Sequence, residues 1–159
     1  MIVDAARDRR IFSMLLECHL EHSCLYSGSL HPSLEMVAPY LVQLDYDYRD
    51  THQFIRHAWG NSWGIFLRSG TRMDALRRHL RRFLVVSDPN NRRMVFRYYD
   101  PRVLRVYLPT CTSKELQTVF GPIECFWMEH QTPDALLEFR LDRAQLVSRK
   151  HSIGFSMFG

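Results

Sequence analysis

The sequence has 159 residues, of which 46% are hydrophobic and 24% are charged, with only 7 Gly and 7 Pro. This length and composition predict one globular domain and exclude disordered, collagen-like and fibrous proteins. The formal net charge of +4 comes from one central segment, because residues 68–105 contain eleven Arg against three Asp, a local charge of +8, while the flanking segments are weakly acidic.

The first third of the chain predicts a helix, a loop and a strand. Apolar residues at Ile11, Leu15, Leu16 and Leu20 recur at helical spacing, so we expect an amphipathic helix over residues 3–20. Residues 22–32 predict a loop. The apolar run over residues 38–44 predicts a buried strand.

Helices and strands then alternate. A helix that ends at Gly60 is followed by a strand over residues 64–68 and by a helix with an apolar stripe at Met73, Leu76 and Leu80. Residues 83–87 and 93–99 predict the two strands of a hairpin. Asp100 and Pro101 predict the N-cap and first residue of a helix that ends before residue 109.

The last part of the chain predicts one helix and two strands. Thr112 and Glu115 have the spacing of a capping box, and the short helix that they begin ends near Gly121. Strands follow over residues 123–129 and 136–141. The whole pattern predicts a mixed α/β (α+β) fold, a single domain with a central mixed sheet flanked by helices. We divide it into an N-terminal helical segment (1–24), a main α/β domain (25–141) and a C-terminal tail (142–159).

The sequence predicts a cytoplasmic protein without a membrane span. No stretch approaches the roughly 20 uncharged apolar residues that a span requires, and charged residues interrupt the N-terminus where a signal peptide needs an apolar core. The four cysteines have no CxxC pairing, so we interpret them as reduced thiols.

Three patterns suggest other functions. Gly60, Ser62 and Gly64 match the G-x-S-x-G motif of serine hydrolases, but that motif needs a strand before the serine and a helix after it, the reverse of the order predicted here. We therefore interpret these residues as a helix end followed by a tight turn, and we keep a small serine hydrolase that uses Ser62 only as an alternative function.

The other two patterns concern metals and nucleic acids. The donor types in the cluster Cys18, His19, His22 and Cys24 suit zinc, but their spacing fits no known finger, and we predict no metal and no cofactor. The Arg-rich segment, interleaved with aromatic residues, allows a basic nucleic-acid-binding domain as a second alternative. No recognised nucleic-acid-binding signature accompanies it, so nucleic acid is not expected as a partner.

Six strings occur in an informative order: L-Y-S-G (25–28), A-P-Y-L-V (38–42), W-G-I-F-L-R-S (63–69), H-L-R-R-F-L (79–84), F-R-Y-Y-D-P-R-V-L (96–104) and F-G-P-I (120–123). In this order they resemble the bacterial type VI secretion effector chaperones or adaptors, the Tap or TEC group, over about residues 25–129. The R-Y-Y-D-P-R-V-L string, with H-L-R-R before it and F-G-P-I after it, is the most specific part.

The resemblance implies an interaction protein and not an enzyme. Members of this family are cytoplasmic and bind a toxin effector, sometimes together with the C-terminal part of the VgrG spike protein. They promote loading of the toxin onto the spike without being secreted. Within the shared strings, Asp100 is a predicted acceptor for Arg97, Arg81 or Arg102. The residues expected to bind the partner are Arg78, Arg82, Arg97, Tyr99 and Arg102, and those expected to be structural are Asp100, Pro101, Phe120, Gly121 and Pro122.

Two features differ from the family pattern. Many relatives begin with a strand, where this chain predicts a helix, and many have a second helical lobe after F-G-P, where about thirty residues remain here. The chain is thus a single-lobe member, or its partner supplies the missing surface. The tail is a docking segment or disordered; its notable residues are Lys150, His151, Phe155, Met157 and Phe158.

Overall fold

The computed structural model describes residues 1–88, 90–132 and 134–154. The α-helices are α1 (Arg9–Glu17), α2 (Pro32–Glu35), α3 (Arg49–Ala58), α4 (Met73–Arg81), α5 (Pro101–Tyr107) and α6 (Ser113–Phe120). The strands are β1 (Ile2–Asp4), β2 (His22–Cys24), β3 (Pro39–Val42), β4 (Gly64–Ser69), β5 (Val85–Ser87), β6 (Arg93–Val95), β7 (Ile123–Glu129), β8 (Ala135–Asp142) and β9 (Gln145–Ser152).

Seven of these strands form one sheet, in the order β2-β3-β1-β4-β7-β8-β9, while β5 and β6 form a separate two-stranded ribbon. The mixed α+β class and the single domain are confirmed. Every strand pair in the described residues is antiparallel, whereas alternating helices and strands had predicted a mixed sheet. The helical connections explain the difference. The connection from β4 to β7 joins neighbouring antiparallel strands, and the connection from β3 to β4 joins strands that are not neighbours in the sheet, so neither creates a parallel pair.

The predicted helix over residues 3–20 is wrong at its start. The chain opens with β1, which lies between β3 and β4 in the sheet, and α1 begins only after Asp8, whose side chain accepts the N–H of Arg10 at 2.9 Å. Strand β2 likewise lies in the predicted loop. The initial strand removes one of the two differences from the family pattern. Because β1 has three residues, its apolar signal merges with that of the helix that follows.

One face of the sheet packs against α4, α5 and α6. Ile2, Leu41 and Ile65 point to this face from three adjacent strands and are almost fully buried. Burial of one such side chain contributes about 1.5–3 kcal/mol. The helices supply Leu76, Leu80, Leu104, Leu108, Leu116 and Phe120.

Among the described residues, those packed on the opposite face cover only part of its width. Val3 and Val42 pack there against Ile11 of α1 and Phe54 of α3, and this cluster contains no described residue of β7, β8 or β9. Side chains alternate along a strand, so the register places one row of residues across the uncovered part. That row runs from β4 to β9: Phe66, Trp127, Glu138 and Arg149.

Several local predictions are confirmed and two are corrected. The N-cap of α5 and the capping box of α6 are both present. The hairpin strand predicted over residues 93–99 ends at Val95. Strand β9, in the predicted tail, pairs with β8 over eight residues and includes Lys150 and His151. Phe155, Met157 and Phe158 lie outside the described residues.

The turn between β8 and β9 explains why this hairpin was missed. Arg143 and Ala144 occupy it with φ of 46° and 64°. Turns with positive φ at both central residues usually contain Asn or Gly, so this sequence did not predict a hairpin turn. The division at residues 24/25 and 141/142 stays a prediction for folding units, although strands on both sides of each boundary belong to one sheet. None of the helices within the described ranges is long and apolar enough to cross a membrane.

Candidate functional site

Two of the five residues expected to bind a partner form ion pairs with buried acids of the same chain. Arg97 forms an ion pair and hydrogen bond with Asp4, a carboxylate at the end of β1 that is only 1% exposed. Arg102 holds Asp100 through two hydrogen bonds, at 3.0 Å from Nε and 2.6 Å from Nη2. Both arginine side chains remain about half exposed, at 44% and 51%. Their main contacts in this structure are nevertheless to buried acids of the same chain.

Asp100 has the local role that the sequence predicts. Its carboxylate accepts the N–H of Arg102 at 2.9 Å and so caps α5, and Arg102 is confirmed as its ionic partner. Arg97 pairs with Asp4 instead. Burial disfavours the charged form of Asp100, but the hydrogen bonds from Arg102 outweigh burial and hold the pKa of this carboxyl below its usual value.

Tyr99, which the sequence analysis expects to contact a partner, has a buried side chain in this structure, and its role in partner binding stays a prediction. Tyr99 is 2% exposed, and burial raises its pKa, with a further contribution from Tyr26. Tyr98 is also buried, and its hydroxyl donates to the carbonyl oxygen of Leu80 on α4 at 3.0 Å. The two tyrosines therefore anchor the R-Y-Y-D-P-R string in the core.

Other shared strings join the same network. Arg77 of α4 donates to the carbonyl oxygens of Cys24 at 2.7 Å and Tyr26 at 3.2 Å, which ties α4 to the L-Y-S-G string. Together with the Asp4–Arg97 pair, these bonds connect β1, β2, α4 and the loop that precedes α5. The network gives these parts of the shared strings a role in holding the fold.

The F-G-P string forms a close turn against α4. Phe120 is 2% exposed, and Gly121 has a φ of +48°. A Cβ at Gly121 would lie 2.4 Å from Cε1 of His79. The carbonyl oxygen of Pro122 accepts the hydroxyl of Ser69 at 2.8 Å. This geometry agrees with the structural role expected of the string.

Arg78 and Arg82 lie on the exposed side of α4 and at its end. Arg78 forms an exposed pair with Asp74 at 3.2 Å, four residues earlier. Arg82 has no ion-pair partner within the described ranges. Of the five residues, these two keep the most freedom to meet a partner, and that role stays a prediction.

The G-x-S-x-G motif lies on a turn between α3 and β4, so the order is helix and then strand, the reverse of a nucleophile elbow. Ser62 has a φ of 52°, and its N–H donates to Oε1 of Glu129 at 3.1 Å. Burial raises the pKa of Glu129. In the described part of the chain, the Ser62 hydroxyl has no hydrogen bond to a histidine.

The Cys–His cluster has other contacts. His19 Nδ1 lies 3.2 Å from Asp50, and His22 Nδ1 lies 3.0 Å from the carbonyl oxygen of Leu20. Among the residues that the structure describes, no group of three or more His, Cys, Asp or Glu side chains is arranged to hold a metal ion.

A concave surface of about 1060 Å³ lies beside α3 and β4, and we call it the α3–β4 groove. Helix α3 forms one wall, and the uncovered part of the sheet forms the other. The turn from β4 into α4 closes one end. The aromatic and aliphatic lining of the groove includes Tyr46, Ile55, Trp59, Phe66, Trp127 and Leu136.

The charged lining of the α3–β4 groove is entirely basic. Arg56, Arg68 and Arg72 line it together with His52, and no Asp or Glu is among the described lining residues. The Arg68 guanidinium lies 5.8 Å from the centre of the Trp127 ring, within cation–π range, and its Nε bonds Glu124 at 2.8 Å beside the groove. The groove thus combines aromatic surface with positive charge.

The sequence model of the family described as a domain of unknown function, DUF4123, matches residues 1–118. The chain belongs to the DUF4123 family. DUF4123 is the family of type VI secretion effector adaptors, the Tap or Tec group, so the resemblance found in the sequence is confirmed, and the family is generally non-catalytic. No curated protein and no solved structure gives a significant match.

The DUF4123 match divides the groove. It includes α3, β4 and the start of α4, which carry Trp59, Phe66 and all three lining arginines, but it ends before β7. Trp127 and Leu136, on the other wall, lie beyond it. The matched family region therefore supplies most of the described lining, and the C-terminal hairpins of this chain supply a smaller wall with Trp127, Leu136 and Ile153.

Sequence reasoning missed the α3–β4 groove. Trp59 belongs to the helix predicted to end at Gly60, and Phe66 lies in the strand predicted over residues 64–68, but neither was predicted to bind a partner. Both are only partly buried. One signal in the sequence points to the groove. Phe66 and Arg68 are two residues apart on β4 and so lie on the same face of the strand, and a fully covered face would not carry an arginine.

Proposed function

We propose that this protein is a cytoplasmic adaptor that binds a type VI secretion toxin effector and promotes its loading onto the VgrG spike. The observation that carries the proposal is the DUF4123 match over residues 1–118. The α3–β4 groove supports it with a concave surface of aromatic and arginine side chains, the residue types enriched among binding hot spots.

The proposal is tested by co-expression with the toxin encoded beside the gene for this chain. We expect a stoichiometric complex in affinity pull-down and size-exclusion chromatography, and a toxin that is insoluble or unstable alone. A toxin of unrelated sequence is the control and should elute separately. If the neighbouring toxin is soluble alone and elutes apart from this chain, the adaptor function is contradicted.

Loading onto the spike needs a second measurement. The purified complex is mixed with the C-terminal part of VgrG, and secretion of the toxin is compared in cells with and without this chain. We expect loss of toxin secretion while the spike itself is still secreted. Toxin secretion that is unchanged without the chain would restrict the protein to stabilising the toxin.

A further inference from the structure

We propose that the α3–β4 groove is the docking site for an acidic amphipathic segment of the effector, one in which Asp or Glu residues accompany apolar side chains. This inference rests on the proposed adaptor function and specifies its surface and the chemistry of its partner. It differs from the sequence-based expectation, which placed the partner on the arginines of α4 and the R-Y-Y-D-P-R string.

The shape and composition of the groove favour a polypeptide segment. Its volume of about 1060 Å³ lies at or above the upper end of the range for small-molecule pockets, roughly 300–1,000 Å³. Trp59, Phe66, Trp127 and Leu136 are all partly buried, so each has surface left to contact a partner. A partner that covers these residues would remove apolar surface from water, which drives association.

The charge of the groove selects an acidic partner. Arg56 has no ion-pair partner among the described residues, and the groove lining contributes no carboxylate. Arg68 and Arg72 do have acidic neighbours, Glu124 at 2.8 Å and Asp74 at 3.6 Å, but all four side chains are about half exposed or more. Exposed pairs of this kind are weak, so partner carboxylates can join or replace them.

The two walls suggest how affinity and selectivity are divided. The arginine-bearing wall lies within the matched family region, whereas Trp127 and Leu136 come from strands beyond it. The basic wall therefore supplies the attraction for carboxylates. The C-terminal wall supplies apolar shape that decides which effector fits.

The first experiment locates the partner by photo-cross-linking. The cross-linking amino acid p-benzoylphenylalanine replaces Leu136 in the full chain, which is co-expressed with the neighbouring toxin, irradiated and analysed by mass spectrometry. Val106 of α5, on the other side of the sheet and 63% exposed, is the control position. We expect Leu136 to cross-link to one acidic amphipathic toxin segment and Val106 to give no such product.

Other cross-linking results overturn the inference in distinguishable ways. A complex that forms without cross-links from Leu136 contradicts the groove but leaves the adaptor function standing. Cross-links to a second copy, or to residues 155–159 of the same chain, assign the groove to a different occupant. If no complex forms, both the adaptor function and this inference fail.

The second experiment reverses charge at matched sites. Arg56→Glu combined with Arg68→Glu alters the groove, and Arg78→Glu combined with Arg82→Glu makes the same change of net charge on α4. We expect the groove variant to bind the toxin at least tenfold more weakly and with less salt dependence, and the α4 variant to change affinity less than threefold. The reverse result, or no effect of either variant, would overturn the inference; circular dichroism checks the folding of each.

Discussion

The R-Y-Y-D-P-R string and the α3–β4 groove are both rich in arginine, but their arginines have different surroundings. In the string, Arg97 and Arg102 pair with Asp4 and Asp100, which are 1% and 3% exposed. In the groove, Arg56 belongs to a lining to which no described Asp or Glu contributes. Arg97 and Arg102 thus stabilise the fold by pairing with buried acids, whereas the groove arginines are available to a partner.

This difference shows why a charge count along the chain does not locate a binding surface. Residues 68–105 contain eleven Arg, yet two of those expected to bind a partner are tied to acids of the same chain. Removing the cation from a buried carboxylate costs much more stability than removing the anion from an exposed arginine. The predictions below use this asymmetry to separate residues that support folding from residues that bind.

The largest effect is expected at Arg97. Arg97→Ala leaves the carboxylate of Asp4 buried without its cation, so we expect the free energy of unfolding to fall by about 3 kcal/mol. Asp4→Asn should cost less, because the remaining Arg97 is partly exposed and can be hydrated. Urea denaturation of both variants measures the difference.

The same pair of variants tests the alternative role of Arg97. If Arg97→Ala leaves stability unchanged and weakens the toxin complex, Arg97 is a binding residue after all, and the contrast between the two regions fails at this position. Equal losses of stability in the two variants would contradict the asymmetry argued here.

The next effect is expected at Gly121. Gly121→Ala would place a Cβ 2.4 Å from Cε1 of His79 at a φ of +48°, so we expect a loss of about 2 kcal/mol in thermal or urea unfolding. Gly70→Ala is the matched control, since its nearest such atom, Oε1 of Glu124, lies 3.9 Å away. Similar losses in both variants would contradict a specific fit between Gly121 and His79.

A smaller effect, with a defined pH dependence, is expected at Asp100. Its pKa is lowered in the folded state, so it adds stability above the pKa of the unfolded chain, and this stability is lost as the pH falls through the folded-state value. Asp100→Asn keeps a good N-cap and removes only the charge. We expect about 1 kcal/mol less stability at neutral pH and a smaller loss in acid, measured by urea unfolding from pH 7 to pH 3.

The sequence predicts those features that depend on neighbouring residues. The Asp100 cap and the Thr112–Glu115 capping box need partners two or three residues away, and both are confirmed. The burial of Asp4 depends on Arg97, 93 residues later. No local pattern marks such a contact, and the apolar signal of the short β1 merges with that of the helix that follows.

The groove was less predictable than the fold. Its residues come from β3, α3, β4, α4, β7 and β8 and from loops between them, so no single segment of the sequence contains the groove. What creates the groove is that α1 and α3 pack over β3, β1 and part of β4, while no described residue of β7, β8 or β9 joins that cluster. The position of a helix across a seven-stranded sheet is a tertiary property that periodicity does not encode.

The smallest effect is expected at Glu129, which lies between the two regions. It is two residues from Trp127 on β7, and its carbonyl oxygen lies 3.4 Å from Nη1 of Arg105 on α5. Burial raises its pKa, so the folded state favours the protonated form, and its contribution to stability declines as the pH rises through the folded-state value. Glu129→Gln can still accept the Ser62 N–H and should remove that decline, giving a flatter stability profile between pH 4 and pH 7. If the stability of the variant declines as steeply with pH as that of the original protein, Glu129 is not the cause of the decline. Unchanged toxin binding by the variant would show that this carboxyl does not contribute to the binding groove.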